Sequence, residues 1–501
     1  MKHEVTKNKV ISALGWKMSE RLSTQMIQFA LQIVLARLLS PSDYGTVGLI
    51  TIYITISTVI VQGGFSDALI RKIDIDEVDL SSVFYIYMGF SSIFYVILFF
   101  LAPSIASFYG RPILVPVLRV LGLNLFPASF NAIQQAMIAR SLRFKAFFMR
   151  TTTALLISGT GGLIMAYLGF GVWALVVMQM LNAFTSAFVM WFSIKWQPKW
   201  VFSFSRAKGL YAYGYKLMLS NLITTLYNSL YGLIIGKVYD VTTLGYYTRG
   251  QQFPVLIAAS VEGTVASVMF PTLSSMQGDK KRLKDTMRRA ISSSSFLLSP
   301  LMIGLAVVAE PLIRILLGEK WMPCVPYLQL TSFAYLFWPM QGSNLAGLQA
   351  IGRSDLILKL GIIKRVVGVS LLGLSLLIGP KLGFKPGIEA GALAMMGANV
   401  ITQIFGCFVH AGPNKKLLNY GVGTQVRDIV PYLGISGIMA GAICPLKYVL
   451  SNPFLLIAVQ ILTGALVYFS IAKLFKMQAM EDFISIAKEF SKRIKAKGRK
   501  E

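Results

Sequence analysis

Ionisable and polar residues inside otherwise apolar segments are where this chain could do chemistry. Segment 10–38 carries Lys17, Glu20, Arg21, Thr24, Gln25, Gln28 and Gln32. Steps of three or four put most of them on one helical face. Segment 209–236 repeats the pattern with Lys216, Ser220, Thr224, Asn228 and Tyr231. Segment 44–69 adds Thr51, Thr55, Thr58, Gln62 and Ser66, and segment 243–275 adds Arg249, Gln252 and Glu262. A charge at the centre of a bilayer costs about 2.5–3.5 kcal/mol by insertion scales, so such a face turns toward a cavity or a partner. The cations Lys17, Arg21, Lys216 and Arg249 outnumber Glu20 and Glu262, which makes a cavity between the halves positive. A positive cavity suits an anionic, phosphorylated ligand, because Arg and Lys pair with phosphate oxygens. Thr24, Gln28, Gln62, Ser220, Thr224, Asn228 and Gln252 would line it with neutral polar groups.

Two readings stand for several of these residues. Lys17 and Arg21 lie within three turns of the helix start, so they either face the cavity or snorkel to the interface. Glu20 either pairs with Arg21 or Lys17 or holds a coupling proton or sodium ion. Glu262 is the second place for such an ion. Arg119, Lys364 and Arg365 read as structural. Trp196, Trp200 and Trp321 sit at span ends and read as interfacial anchors. Gly232–Gly236, Gly387–Gly391 and Gly437–Gly441 read as helix packing sites.

Other chemistries lack their residues. Cys324, Cys407 and Cys444 are far apart in apolar segments and read as core. With only His3 and His410 as histidines, no metal ligand set forms, and no metal or cofactor is expected. There is no G-x-x-x-x-G-K-[ST] loop, so no ATPase is built in. No nucleophile–base–orienter set and no large loop to hold one is present, so the chain reads as a transporter and not an enzyme.

The elements that position these residues follow from composition. The chain has 501 residues, 55% hydrophobic and 14% charged, against about 25% charged in soluble domains. Its mean hydropathy is +0.64. The net charge of +27 would suggest nucleic acid on a soluble protein, but here the charges fall between apolar blocks, so no nucleic acid is expected. The first apolar segment holds Lys17, Glu20 and Arg21 with no small-residue cleavage site after it, and is expected to be a retained helix.

Fourteen spans are expected, near 10–38, 44–69, 81–109, 113–139, 149–169, 171–194, 209–236, 243–275, 288–317, 323–351, 356–379, 386–410, 426–449 and 453–474. Pro127, Pro254, Pro300 and Pro339 are expected to kink theirs. Every second connecting segment, starting with the N-terminus, is basic. Those segments hold roughly 33 Lys and Arg against roughly 8 in the opposite set. Both termini are therefore expected in the cytoplasm, with the protein in the cytoplasmic membrane. The basic tail 477–501 is expected to attract anionic lipid.

The chain is duplicated. The run from Arg37 to Gly45 (R-L-L-S-P-S-D-Y-G) lies opposite the run from Lys237 to Gly245 (K-V-Y-D-V-T-T-L-G), at an offset of 200. Gly15-Trp16-Lys17 matches Gly214-Tyr215-Lys216, Gln62-Gly63 faces Glu262-Gly263, Arg140-Ser141 matches Arg353-Ser354, and Leu168-Gly169-Phe170 matches Leu382-Gly383-Phe384. Six spans per copy is an even number, so the copies run parallel about an axis along the membrane normal. The expected fold is an all-α polytopic membrane protein of about 14 transmembrane helices, two parallel six-helix repeats plus two extra C-terminal helices. Its parts would be an N-lobe at 1–208, a C-lobe at 209–415, spans 13 and 14 at 416–476, and the tail.

The runs 15–45 (G-W-K-M-S-E-R through S-P-S-D-Y-G), 62–72 (Q-G-G-F-S-D-A-L-I-R-K) and 270–274 (F-P-T-L-S) resemble Wzx-like polysaccharide flippases. These form part of the multidrug/oligosaccharidyl-lipid/polysaccharide exporter superfamily, and the likeness is to its colanic acid and teichuronic acid branch. The resemblance implies an undecaprenyl-pyrophosphate-linked oligosaccharide as cargo, flipped outward for polymerisation and export, with polymerase and export machinery as partners. It also implies a cationic central cavity and a lipid-tail groove at spans 13 and 14. A cation-coupled multidrug exporter, or a flippase for a lipid-linked peptidoglycan precursor, is the alternative within the superfamily. A membrane-embedded glycosyltransferase would need catalytic residues on a sizeable outer loop, and the outer loops here are short.

Overall fold

The protein is described by a computed structural model covering residues 7–72, 74–141, 144–194, 196–274, 276, 279–378 and 388–481, with the backbone alone for 7–22 and 264–272 among others. It is helical throughout, with no strand among the described residues. Each of the fourteen expected spans coincides with a helix or a broken pair of helices. The first six are α1 (Lys7–Leu38), α2 (Pro41–Gln62) with the short α3 (Phe65–Arg71), α4 (Glu77–Tyr109), the pair α5 (Leu114–Gly122) and α6 (Leu125–Ser141), α7 (Phe144–Tyr167) and α8 (Val172–Ser193). The second six are α9 (Phe204–Ile234), α10 (Val241–Ser274), the pair α11 (Lys280–Val307) and α12 (Ala309–Leu316), the pair α13 (Val325–Tyr335) and α14 (Trp338–Ala350), α15 (Ser354–Ile378) and α16 (Ile388–Leu418). The last two are α17 (Val422–Ile443), followed by the single turn α18 (Leu446–Val449), and α19 (Pro453–Leu474).

Among the described residues, nine helical stretches are long and apolar enough to cross a membrane. The other five expected spans are α1, α7, α9, α10 and the broken α13–α14. Two of these, α9 and α10, carry the intramembrane charges Lys216, Arg249 and Glu262. Exposed apolar side chains such as Phe100 on α4, Val366 on α15 and Leu466 on α19 give the helices lipid-compatible outer faces.

Proline acts differently at its four expected positions. Pro300 lies inside α11, and Pro254 lies inside α10. Pro127 is the third residue of α6 and Pro339 opens α14. These two start new helices after breaks, because the first turn of a helix has no partner for the missing N–H. The breaks fall in the fourth span of each repeat, so the duplication is visible in the backbone.

Packing divides the chain into two units, Met1–Thr248 and Arg249–Glu501. The division lies forty residues beyond the expected lobe boundary at 208, because α9 packs along α2 and α3. In the first unit α7 packs on α1 and α8, and α4 on α5 and α6. Its core joins Phe65, Leu69, Val83, Tyr87, Ile133, Met190 and Trp196. In the second unit α11 packs on α17, α15 on α16, and α17 on α19. Its core joins Met287, Ile291, Met340, Ala411, Tyr420 and Ile429.

The starts of α2 and α10 cross on glycine. A Cβ added at Gly45 would overlap the Val241 carbonyl oxygen, and one added at Gly245 would overlap the Pro41 carbonyl oxygen. The relation is reciprocal, since Pro41 and Val241 are themselves repeat equivalents. Each helix is capped one residue before its start. Ser40 accepts from the Asp43 N–H, and Asp240 accepts from the Thr243 N–H at 2.9 Å. A second close approach joins Gly64, with φ of 73°, to the Gly214 backbone on α9.

The structure changes several side-chain expectations. Trp196 and Trp321 are buried core residues and not interfacial anchors, whereas Trp200 is exposed. Cys324 and Cys407 are buried, but Cys444 is exposed. Gly232 and Gly236 pack tightly, against Ile52 and Leu49, whereas nothing lies within 4 Å of a Cβ placed at Gly437 or Gly441. Gly387, and the tail beyond 481, lie outside the described residues.

The glycine crossing yields a direct test. Gly45→Ala or Gly245→Ala should destabilise the purified protein by about 1–3 kcal/mol or more, the usual cost of overpacking, seen as a lower melting temperature. Gly89→Ala, where nothing lies within 4 Å, should leave the melt unchanged.

Candidate functional site

In the first unit the expected site residues lie on α1, α2 and α9. The backbone at Lys17, Glu20 and Arg21 is helical, and their side chains lie outside the described residues. The Thr24 hydroxyl is buried and makes no hydrogen bond among the described residues, while Gln28 is exposed. Gln62 is half-buried at the last residue of α2. On α9, Lys216, Ser220 and Asn228 are exposed and Thr224 is half-buried. Lys216 Nζ lies 5.9 Å from the ring centre of its neighbour Tyr215.

Many hydroxyls in these stripes are already engaged. Thr51, Thr55 and Thr58 donate to Val47, Thr51 and Ile54 carbonyls at 2.7–2.8 Å, four residues back on the same helix. Thr224 does the same to Ser220 at 2.8 Å. In hydrocarbon this local bond is the nearest available partner, so a threonine stripe is a weaker sign of a cavity than an exposed Lys, Asn or Gln.

In the second unit Arg249 is 7% exposed. Its guanidinium donates to Gln252 Oε1 and stands 5.9 Å from the Trp321 ring centre. Both residues therefore belong to a packed polar contact inside this unit. Glu262 is half-buried and borders a cavity of about 60 Å³ between α10, α11 and α14, shared with Ser294, Trp338 and Ser343. Its Oε1 lies 3.2 Å from where a Cβ at Gly342 would stand, and it makes no hydrogen bond or ion pair among the described residues. The glycine thus leaves room at the carboxylate for a small guest.

Two polar nodes of the second unit had not been expected. Lys364, in the middle of α15, donates to Gln341 Oε1 at 2.6 Å and Gln403 Oε1 at 2.8 Å. Gln341 Nε2 in turn donates to the Gln403 carbonyl at 2.9 Å. The charge is held by neutral amide oxygens, which fits the structural reading of Lys364. The second node is fully buried. Asn344 Nδ2 donates to Gln425 Oε1 at 2.7 Å, and Asn344 Oδ1 accepts from Gln425 at 2.9 Å and Asn414 at 2.6 Å. It ties α14, α16 and α17 together. The only signal in the sequence was the presence of isolated amides in apolar spans.

The last two spans frame an apolar groove of about 450 Å³ with α11, lined by Leu301, Leu305, Met439, Ile461 and Ala465 among others. It lies at spans 13 and 14, where the resemblance implies a lipid-tail groove. No group of three or more metal-ligating side chains occurs among the described residues.

An all-helical chain with many apolar spans, broken fourth spans in each repeat and a groove at two helices outside it defines a polytopic helical membrane transporter fold. The family described as "Polysaccharide biosynthesis protein" matches residues 34–326. The chain belongs to that family. It is 24% identical over 322 residues to the succinoglycan biosynthesis transport protein ExoT of Rhizobium meliloti, a match spanning 64% of this chain and 65% of that one, just under two thirds. It is 25% identical to the teichuronic acid biosynthesis protein TuaB of Bacillus subtilis, over 69% of this chain and 72% of that one. It is 21% identical to the lipopolysaccharide biosynthesis protein WzxC of Escherichia coli, over 80% and 81%. Among solved structures, the inward closed lipid II flippase MurJ superposes with a TM-score of 0.70 over 94% of this chain and 100% of that one, at 18% identity. An inward-facing multidrug resistance transporter of the MATE family gives 0.61 over 79% and 95%, at 17% identity. At these identities the solved structures share the fold alone.

The buried amide node makes a prediction. Asn344→Ala takes the donor from Gln425 Oε1 and leaves Asn414 Nδ2 only the residue-344 carbonyl, and should cost about 1–3 kcal/mol of stability, read as a lower melting temperature. Replacing both partners, Asn344→Leu with Gln425→Leu, should recover part of the loss, because fewer buried polar groups are then left unmatched.

Proposed function

We propose that the chain is a flippase. It would carry an undecaprenyl-pyrophosphate-linked oligosaccharide from the cytoplasmic to the outer face of the inner membrane, for polysaccharide biosynthesis and export. The observation that carries this reading is the apolar groove along α17 and α19, the two helices beyond the repeat. A groove of that kind suits a cargo whose tail stays in hydrocarbon while its head crosses. Membership of the polysaccharide biosynthesis family supports the same cargo class. So do the biosynthetic roles of the succinoglycan, teichuronic acid and lipopolysaccharide relatives.

In this reading Lys17, Arg21 and Lys216 hold the pyrophosphate, and Gln28, Ser220 and Asn228 meet the neutral part of the head group. Arg249 and Gln252 act as a positioning pair two to three turns into α10. Both termini lie in the cytoplasm, in keeping with the basic segments. The inside-negative potential favours outward movement of an anion by about 2.3 kcal/mol per charge per 100 mV, so the cargo's own charge drives part of the cycle. A proton or sodium ion completes the coupling at Glu262, where the 60 Å³ cavity leaves space beside the carboxylate, with Glu20 as a second site. Anionic lipids and the polymerase and export machinery are the expected partners.

A lipid-linked peptidoglycan precursor would use the same groove and cations, and the MurJ-like fold keeps it as the second reading. The test is glycan export in a strain lacking the gene, complemented at matched expression. Wild type should restore export, and Arg21→Ala with Lys216→Ala should lower it by about tenfold or more while lipid-linked repeat units accumulate inside. Export that never depends on the gene would end the polysaccharide reading, and export untouched by both substitutions would end the cationic site.

A further inference from the structure

The apolar groove does not end in apolar surface. Toward the starts of α11 and α17 it is followed by a polar cleft of about 490 Å³ that includes Arg288, Arg289, Arg427, Asp285 and Asp428. The cleft uses α11, α17 and the turn after α19, and the groove uses the next stretches of the same three helices. Between them stands an aromatic cluster. Phe296 borders the groove and Tyr432 the cleft, with ring centres 6.0 Å apart, and Tyr468 packs on Phe296 at 5.4 Å.

The cleft is preorganised on one side and open on the other. The Asp428 side chain is 6% exposed and accepts two parallel bonds from Arg288, Nε at 2.9 Å and Nη2 at 2.6 Å, plus one from the Tyr420 hydroxyl at 2.9 Å. That fork fixes Arg288 and consumes the acidic charge nearest to it. Arg289 and Arg427 are exposed and make no hydrogen bond or ion pair among the described residues. Three arginines against two aspartates leave one net positive charge. One phosphodiester carries one negative charge, whereas a pyrophosphate carries more than the cleft balances.

We propose that, while no cargo tail fills the groove, this cleft and groove bind one monoanionic phospholipid of the bilayer, with the phosphodiester between Arg289 and Arg427 and an acyl chain along α17 and α19. The segments 276–289 and 411–427 belong to the basic set, so the lipid comes from the cytoplasmic leaflet. This gives the anionic-lipid part of the proposed function a location, and it holds whether or not the cargo is a glycan, because its test involves no transport.

The test uses the full chain purified in detergent and titrated with phosphatidylglycerol or phosphatidylcholine, with retained lipid counted by native mass spectrometry. Phosphatidylglycerol should be retained in preference. Arg289→Gln with Arg427→Gln should lower its retention by about tenfold, the scale of losing charge-assisted contacts. Ala465→Phe, which fills the groove from an exposed rim position, should lower it without changing charge. Arg282→Gln, on the first turn of α11 and outside the cleft, should leave it unchanged. The site is overturned if Arg282→Gln weakens retention as much as the double variant. It is equally overturned if Ala465→Phe has no effect, if glycerophosphate without acyl chains displaces the lipid, or if a polyprenyl pyrophosphate occupies the cleft in preference to phosphatidylglycerol. Unchanged melting of all variants keeps a folding defect out of the comparison.

Discussion

Every backbone N–H and C=O that enters hydrocarbon must find a partner within the protein, and this requirement governs the rest of the structure. It makes the described chain helical from α1 to α19. It also decides where helices can break. Between α5 and α6 the chain turns through short-range bonds, Leu123 N–H to Val120 and Asn124 N–H to Leu121, before Pro127 joins the new helix. Between α13 and α14 the Leu336 N–H reaches Phe333, and Pro339 follows. In both places proline stands where a helix has an unused donor position, so its missing N–H costs little.

The same requirement separates what the sequence could reveal from what it could not. Apolar blocks about twenty residues long report the helices directly, because hydrocarbon thickness sets their length. The duplication was legible because Gly45 and Gly245 cannot change without overlap, which preserves one recognisable point in each copy. Side-chain roles were less legible. A threonine can satisfy itself on its own helix, as Thr51, Thr55 and Thr58 do, so a polar stripe does not announce a cavity. Trp196 and Trp321 occupy the sequence positions of interfacial anchors, yet their rings are buried. Arg249 was readable as an intramembrane cation, but its neighbour Trp321 is distant in sequence and only folding brings them together. The Asn344–Gln425–Asn414 node is hidden for the same reason: each amide is unremarkable until the other two stand beside it.

The second unit distributes its polar groups unevenly, and the unevenness is informative. Amides are buried deep between α14, α16 and α17, where they fix helix register as neutral groups. Arginines gather near the start of α11 and of α17, where water and head groups can reach them. The long groove that runs on from the arginines has almost no polar lining apart from Gln460, whose amide donates to the Ile443 carbonyl. One carboxylate, Glu262, sits apart from all of these in its own small cavity. Charge at one end and an apolar channel running on from it is an arrangement that accommodates an amphipathic molecule lengthwise.

The glycine crossing is self-complementary: what Gly45 does to Val241, Gly245 does to Pro41. Two separate half-length chains could therefore meet through the same patch as an isologous dimer. In such a dimer every substitution strikes both sides at once, so neither side can specialise. Joining the copies into one polypeptide removes that restriction. One side of the crossing is then free to carry a serine cap and a proline, and the other an aspartate cap and a valine, while the glycines on which both depend stay alike.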